Sequence, residues 1–323
     1  MAHRIRIDRD GGPEVLQYVT EERATPDLGE AWLRQEAIGV NFLDITQRTG
    51  AVPLVHPSGL GLEAAGVVEE VGAGVENMVV GDRVVYALGP IGAYADGRIY
   101  PANRLVKLPD FISTHDAAAI FLKGLTAHYL LTSIFHVGQG TEILLYGVSG
   151  GLGQIMAPWA KALGANVIGV VSRPEGVDRA KDAGCHEVIV WSDGDLAARV
   201  RELTNGKGVD VVYDGIGRDT FEASLDSLKK RGTMVSMGAS SGVPDRISIA
   251  RLNKDSLFLT RPGLLDYISD LNEYSLRSEA VFHAFRSGVI RSNISRTFPL
   301  ERAREAHMAH QSGEVKGTIL LVP

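Results

Sequence analysis

The run Glu142-Ile143-Leu144-Leu145-Tyr146-Gly147-Val148-Ser149-Gly150-Gly151-Leu152-Gly153 constrains the fold more than any other stretch of the chain. An apolar segment of strand type stops at a glycine cluster, and Leu152, Ile155, Trp159 and Leu163 then recur at helical spacing. Strand, glycine turn and helix are the parts of a phosphate-binding βα unit. Its glycines let the backbone approach a pyrophosphate, whose charge meets the first free N–H groups of the helix. The string is Gly147-x-x-Gly150-Gly151-x-Gly153 rather than the strict G-x-G-x-x-G, so by itself it reads equally as a plain glycine turn. The residues downstream of the turn decide between the two. Buried-type strands over 165–171, 187–190, 209–214 and 233–238 alternate with helical segments over 174–183, 194–204 and 219–230. That alternation predicts a parallel, doubly wound sheet and hence a dinucleotide site, with Ser149, Gly150, Gly151, Leu152 and Gly153 at the pyrophosphate. Pro158 falls inside the helix after the turn and should kink it.

The chain has 323 residues, enough for two domains with separate cores. Its first third has a different texture. Short strands over 4–8, 31–38, 65–71, 83–86 and 105–107 are broken by turn clusters such as Asp10-Gly11-Gly12-Pro13 and Gly72-Ala73-Gly74, which predicts a small β-rich barrel. After Arg261-Pro262-Gly263 the alternation lapses. A helix near 271–287, an extended segment over 292–298, a helix near 300–311 and a strand over 318–322 are too little to fold alone. They are expected to return to the first domain. The predicted division is 1–123, 124–265 and 266–323.

A net charge of −6 gives no electrostatic footprint for nucleic acid or anionic lipid. No apolar run reaches the ~20 residues that span a bilayer. The N-terminus lacks the apolar core of a signal peptide, so cytoplasmic residence is expected. Cys185, the only cysteine, reads as a small buried apolar residue.

Gly39-Val40-Asn41-Phe42-Leu43-Asp44, Gly59-Leu60-Gly61-Leu62-Glu63-Ala64-Ala65-Gly66, Gly81-Asp82-Arg83-Val84 and Phe121-Leu122-Lys123-Gly124-Leu125-Thr126-Ala127 resemble the zinc-free quinone oxidoreductases, the zeta-crystallin-like branch of the medium-chain dehydrogenase/reductase superfamily. Gly11-Gly12-Pro13-Glu14-Val15-Leu16, Asp214-Gly215-Ile216-Gly217, Gly238-Ala239-Ser240-Ser241-Gly242, Arg261-Pro262 and Lys316-Gly317 extend the likeness, in family order, along nearly the whole chain. The resemblance implies an α/β protein: a GroES-like β-barrel catalytic domain, a Rossmann domain, and a cofactor between them.

A catalytic zinc needs three protein ligands around an open position. Zinc-dependent relatives take them from a cysteine and a His-Glu pair, where this chain has Asn41 and Leu62-Glu63. A four-cysteine structural site is impossible with one cysteine. No metal is expected. Asn41 is placed at the nicotinamide, where its amide can donate and accept; the bland reading is a turn asparagine. Glu63 and Asp44 read as structural carboxylates. Thr46 stands where many relatives carry a tyrosine, and is the candidate substrate neighbour. Lys123-Gly124-Leu125-Thr126 should open a long helix whose Thr126 and Tyr129 reach the nicotinamide; Tyr129 reads equally as a core aromatic.

At the adenosine end, strand two closes on Val170-Val171-Ser172-Arg173, without the carboxylate that selects NAD. Ser172, Arg173 and Arg179 are candidates for a 2′-phosphate, which points to NADPH. The resemblance puts Gly176 where close relatives have a phosphate-binding lysine and Trp191 where they have a tyrosine. Gly238, Ala239, Ser240 and Ser241 are expected beside the nicotinamide ribose and Gly215 at the cofactor; Lys316 returns towards the cofactor or reads equally as a strand-flanking surface charge. His307 and His310 should lie on the solvated side of their helix.

The resulting expectation is NADPH-dependent reduction of a quinone by hydride transfer, without zinc. An enone or alkenal double-bond reductase is the alternative within the same chemistry. A non-catalytic cofactor- or RNA-binding protein is the alternative outside it, disfavoured by the acidic charge. In the family the apolar strand Leu257-Phe258-Leu259 can pair with its copy, so a homodimer is expected.

Overall fold

The computed structural model describes every residue from 1 to 323 except Asp193 and Glu314. Two units are distinguished: Met1–Lys123 with Asp270–Arg286 and Arg291–Pro323, and Gly124–Ser269 with Ser287–Ile290.

The first unit opens with β1 (Ala2–Ile7), β2 (Gln17–Glu21), β3 (Glu30–Val40), α1 (Phe42–Arg48), β4 (Ser58–Gly59) and β5 (Glu63–Val71). It continues with β6 (Arg83–Ala87), β7 (Gly97–Pro101), β8 (Val106–Lys107) and the start of α2 (Thr114–Tyr129). β2, β1 and β4 form a small antiparallel sheet.

α2 begins nine residues before Lys123, so Lys123-Gly124 lies within the helix rather than opening it. The start signal is a serine N-cap: Asp116 N–H donates to Ser113 Oγ at 3.0 Å, and the Ser113 hydroxyl donates to Asp116 Oδ2 at 2.6 Å. With the π-helical turn Leu130–Ile134, the helix reaches 21 residues at mean hydropathy 1.3, long and apolar enough in composition to cross a membrane. Its most apolar window is 72% buried within the fold, which accounts for that composition as core.

The second unit holds β9 (Glu142–Tyr146), α3 (Gly153–Ala162), β10 (Asn166–Val171), α4 (Val177–Asp182), β11 (Glu187–Val190), α5 (Leu196–Leu203) and β12 (Val209–Asp214). Next come α6 (Phe221–Ser227), β13 (Leu228–Ser236), α7 (Ala250–Asn253), β14 (Phe258–Thr260) and α8 (Leu264–Ile268). All six strands are parallel, in the order β11-β10-β9-β12-β13-β14. The chain winds outward from β9 through β10 to β11, then returns to the other side of β9 at β12. The strand order therefore reverses between β9 and β12, and ligands of such sheets bind beyond the carboxyl ends at that point. β13 starts at Leu228, five residues before the apolar segment that signals it, because Lys229-Lys230-Arg231 hides the strand's beginning. α3 runs through Pro158, which nothing in the structure connects to the site. Cys185 is buried, and burial pushes its thiol up to about 12.

The chain then returns to the first unit with α9 (Leu271–Arg286), β15 (Ile294–Pro299), α10 (Ala303–Gln311) and β16 (Thr318–Val322). β16 pairs antiparallel with β3 and parallel with β15. The second sheet of this unit thus runs β15-β16-β3-β5-β6-β8, with β7 also on β3. Phe298, Ala306 and Leu321 from the return share one core with Ile7, Leu33, Val84 and Tyr94. The return segment thus supplies part of that core.

Candidate functional site

In the barrel unit the site grows from the junction of β3 and α1. Asn41 ends the strand and caps the helix, and Asp44 Oδ2 reaches back to accept its N–H at 2.8 Å. The Asn41 side chain is buried between two charges. Its Nδ2 donates to Glu63 Oε1 at 2.8 Å and, at 3.4 Å, to the Gly39 carbonyl. Its Oδ1 accepts from Lys123 Nζ at 3.0 Å. The ammonium also lies 3.2 Å from Glu63 Oε1, and Glu63 Oε2 accepts Leu122 N–H at 2.9 Å. Glu63 has no exposure and Lys123 only 8%. Gly39 is required by this packing: a Cβ there would fall 2.3 Å from Glu63 Oε1.

The amide orientation follows from its partners, since an ammonium cannot accept and a carboxylate cannot donate. Both Asn41 N–H bonds are therefore committed inside the protein. Among the described residues, what remains is one acceptor lone pair on Oδ1 and, beside it, the third N–H of Lys123.

A second buried chain of polar groups holds α1 from beneath. Arg48 Nη1 lies 3.2 Å from His307 Nδ1, His307 Nε2 lies 3.0 Å from Tyr94 Oη, and Tyr94 donates to Asp44 Oδ2 at 2.9 Å. Arg48 also reaches Gln311 Oε1 at 3.0 Å and the Gly11 carbonyl at 3.1 Å. Burial pushes the Asp44 carboxyl up to about 7, opposed by its bonds from Asn41 and Tyr94. Burial, then the Arg48 charge, pulls His307 down to about 3. Asp44 Oδ1 has no hydrogen-bond partner among the described residues. His307 is fully buried, contrary to its expected solvated position. Ala303, Ala306 and His307 form the inward stripe of α10, and the histidine enters it because Arg48 and Tyr94 satisfy both ring nitrogens. His310 is half-buried, with its ring centroid 6.3 Å from that of Phe42.

Thr46 is half-buried on α1, and its hydroxyl donates to the Leu43 carbonyl at 2.8 Å. Phe42, Leu43, Val52 and Val55 nearby in sequence are exposed apolar side chains. Lys316 is exposed before β16, and its carbonyl accepts the Ser295 hydroxyl.

In the Rossmann unit, β9 delivers its glycine turn to the reversal point. Gly147 has φ +63, and a Cβ on Gly153 would fall 2.5 Å from both the Gly147 oxygen and Val148 Cα. Only glycine closes this turn without displacing backbone. Among the described residues the N–H groups of Gly151, Leu152 and Gly153 carry no backbone hydrogen bond, and they open α3. This cradle fits a dinucleotide's pyrophosphate. Across the reversal point, Asp214 is buried at the end of β12. It accepts from Ile216 N–H, Gly217 N–H, Thr220 Oγ1 and Ser224 Oγ at 2.7–3.1 Å, which pins the adjacent loop. Ser241 N–H donates to the Ile216 carbonyl at 2.8 Å and Ser240 N–H to that of Gly215 at 3.2 Å. A Cβ on Gly238 would meet the Gly215 oxygen at 2.7 Å. Gly215, Gly238, Ala239, Ser240 and Ser241 therefore gather on two adjoining loops.

Ser172 and Arg173 are exposed beyond β10. A Cβ on Gly176 would lie 3.5 Å from Ser149 Oγ, so this loop abuts the glycine turn. Trp191 N–H donates to the Val171 carbonyl at 2.9 Å, and its ring centroid lies 6.3 Å from that of Tyr146. Ser149, Ser172, Arg173 and Trp191 therefore come from connected segments, while Arg179 is half-buried on α4. Thr126 is half-buried on α2. Tyr129 is buried and stacked on Tyr267, centroids 4.5 Å apart, in the position of a core aromatic.

Sequence reasoning passes over Lys123 as a side chain, and over Tyr94 and Arg48, and it puts His307 on the wrong side of its helix. The signal that exists for Lys123 is an isolated cation on a long apolar helix, where it needs a buried partner. Among the described residues no three His, Cys, Asp or Glu side chains are grouped to hold a metal ion.

Two family models match the chain: an alcohol dehydrogenase GroES-like domain over residues 27–110 and a zinc-binding dehydrogenase over residues 151–264. A 2-haloacrylate reductase from a Burkholderia species is 45% identical over 98% of both chains. A quinone oxidoreductase from Salmonella typhimurium is 45% identical over the full length of both. The crystal structure of Escherichia coli quinone oxidoreductase complexed with NADPH superposes with a TM-score of 0.97 at 43% identity, covering 99% of this chain and 100% of that one.

Proposed function

The chain belongs to the quinone oxidoreductase family of the medium-chain dehydrogenase/reductase superfamily, and from that premise we infer that it is an NADPH-dependent enzyme that reduces quinones without zinc. One observation carries the metal-independent part. The ammonium of Lys123 lies 3.0 Å from Asn41 Oδ1 and 3.2 Å from Glu63 Oε1, so the positive charge in this cluster is a side chain of the protein itself.

NADPH, when bound, supplies the hydride. The open N–H groups at the start of α3 would hold its pyrophosphate, and Ser172 and Arg173, with Arg179 on α4, would receive a 2′-phosphate. The loops carrying Gly215 and Gly238 to Ser241 would shape the ribose site, with Thr126 as a further contact. Asn41 can only accept, which suits the carboxamide N–H of a nicotinamide and not a quinone carbonyl. The donor for the quinone oxygen is then the third N–H of Lys123, directly or through water. Lys123 Nζ–H would hydrogen-bond that oxygen as it is reduced, and the proton that joins it would come from water. Thr46, with its hydroxyl bound to its own helix, leaves the substrate side without an aromatic wall. The exposed residues Phe42, Leu43, Val52 and Val55 offer apolar surface for a planar acceptor.

The second reading is reduction of an electron-poor carbon–carbon double bond, favoured by the 45% identity to a 2-haloacrylate reductase. NADPH consumption with benzoquinone, naphthoquinones, 2-haloacrylates and enones under identical conditions separates the two. Quinones are expected to be used with similar efficiency, since few polar groups discriminate among them. An acrylate or enone exceeding every quinone by about tenfold in kcat/KM, about 1.4 kcal/mol in transition-state binding, transfers the assignment to double bonds. The exposed Phe258 on edge strand β14 supports a homodimer paired through that edge.

A further inference from the structure

The register of β13 against β12 has an irregularity far from the glycine turn. Val209 pairs with Leu228 and Val211 with Thr233, so Lys229, Lys230, Arg231 and Gly232 all stand opposite Asp210. The surplus residues bulge out of the ladder, as strands do where side chains are re-aimed. Arg231 is held there at φ 61, in the left-handed region that ordinary residues avoid.

The bulge helps to line a depression of about 420 Å³ together with Arg201, Lys207 and Asp255, the last also left-handed at φ 67. Its charges are unbalanced. Lys229 is paired with Asp210. Arg201 donates to the carbonyls of Asp226 at 2.9 Å and of Gly206 and Leu228 at 3.4 Å, and among the described residues it meets no carboxylate. Lys207, Lys230 and Arg231 have no ion pair among the described residues. Against these four cations the depression holds only Asp255. The surplus is local, in a chain whose net charge is −6.

We propose that this depression is a second anion site, at the amino-terminal end of β13, that takes a linear triphosphate. Arginine forks and lysine ammonium groups are the usual phosphate ligands, and four of them spread around one depression match an extended multivalent anion better than a single phosphate. The glycine turn lies at the opposite, carboxyl end of the same parallel sheet, so the two sites are separate. The proposal does not depend on which acceptor the enzyme reduces.

The experiment is calorimetric titration of the full chain, saturated with NADPH, against inorganic tripolyphosphate and separately against ATP. One saturable event per chain is expected with either probe. It should weaken at least tenfold in Lys230→Glu and in Arg231→Glu, and remain unchanged in Arg173→Ala. Tighter binding of ATP than of tripolyphosphate assigns the phosphate chain to a nucleotide; equal binding assigns it to the chain alone. NADPH binding by each variant reports whether it is folded, and Lys207→Glu replaces any that is not. Two results overturn the site: no saturable binding to the NADPH-saturated chain, or binding untouched by all three charge reversals. RNA binding in a gel shift that tripolyphosphate does not compete would also overturn it, and would give the basic surface to nucleic acid instead.

Discussion

Arg48 donates to Nδ1 of His307, and because a guanidinium never accepts, that one bond fixes the direction of the whole buried chain. Nδ1 must be bare, so the proton of the neutral ring sits on Nε2 and points at Tyr94. The Tyr94 hydroxyl is then free to donate to Asp44, whose Oδ2 also accepts the Asn41 N–H. α10, from the end of the chain, thereby sets the seat of a residue at position 41.

This buried chain predicts an unusual pH response. Asp44, raised to about 7 from an unfolded value near 3.9, binds a proton in the folded state that the unfolded state lacks; its contribution is present at low pH and is lost as pH rises towards 7. His307, lowered to about 3 from an unfolded value near 6.5, does the opposite, and its contribution is lost as pH falls below about 6.5. Between about pH 4 and 6.5 the two slopes oppose each other. Asp44→Asn should therefore leave stability rising with pH, and His307→Gln should leave it falling. Urea unfolding at pH 4.5, 5.5 and 6.5 checks both; parallel slopes for the two variants would sink the idea.

Lys123→Met should destabilise the protein by about 3–5 kcal/mol, because it leaves the Glu63 carboxylate buried and unpaired. Adding Glu63→Gln should recover part of that loss, since a neutral amide costs less to bury. Denaturant titration of the single and double variants measures the recovery. Equal destabilisation by the double and by the summed singles would show that the pair is not coupled.

The difficulty of finding Lys123 shows where reading the sequence stops. β9, its glycine turn and the strands on either side are legible because each is apolar and set off by turn residues. His307 and Lys123 are not, because burial of a polar side chain depends on partners more than 50 positions away: Arg48 and Tyr94 for one, Asn41 and Glu63 for the other. The start of β13 escapes for the converse reason, a strand beginning with three cations. Asn41 stands out in the sequence as a polar residue at a junction, but the engagement of both its donors is visible only with Gly39 and Glu63 in place.

Arg173→Ala should weaken NADPH binding by about 10- to 150-fold, the effect of losing one charge-assisted contact of roughly 1.5–3 kcal/mol. NADH binding should change far less. Fluorescence titration with both cofactors is the measurement. Equal losses would show that Arg173 does not meet the 2′-phosphate, and would move that role to Arg179 or Ser172.

The most direct test of a reductase that carries its own cation is turnover of NADPH with a quinone after exhaustive chelation, alongside metal analysis of the same sample. Full activity with far less than one metal per chain is the predicted result. Stoichiometric zinc, with activity lost on its removal and restored on its return, would contradict the account.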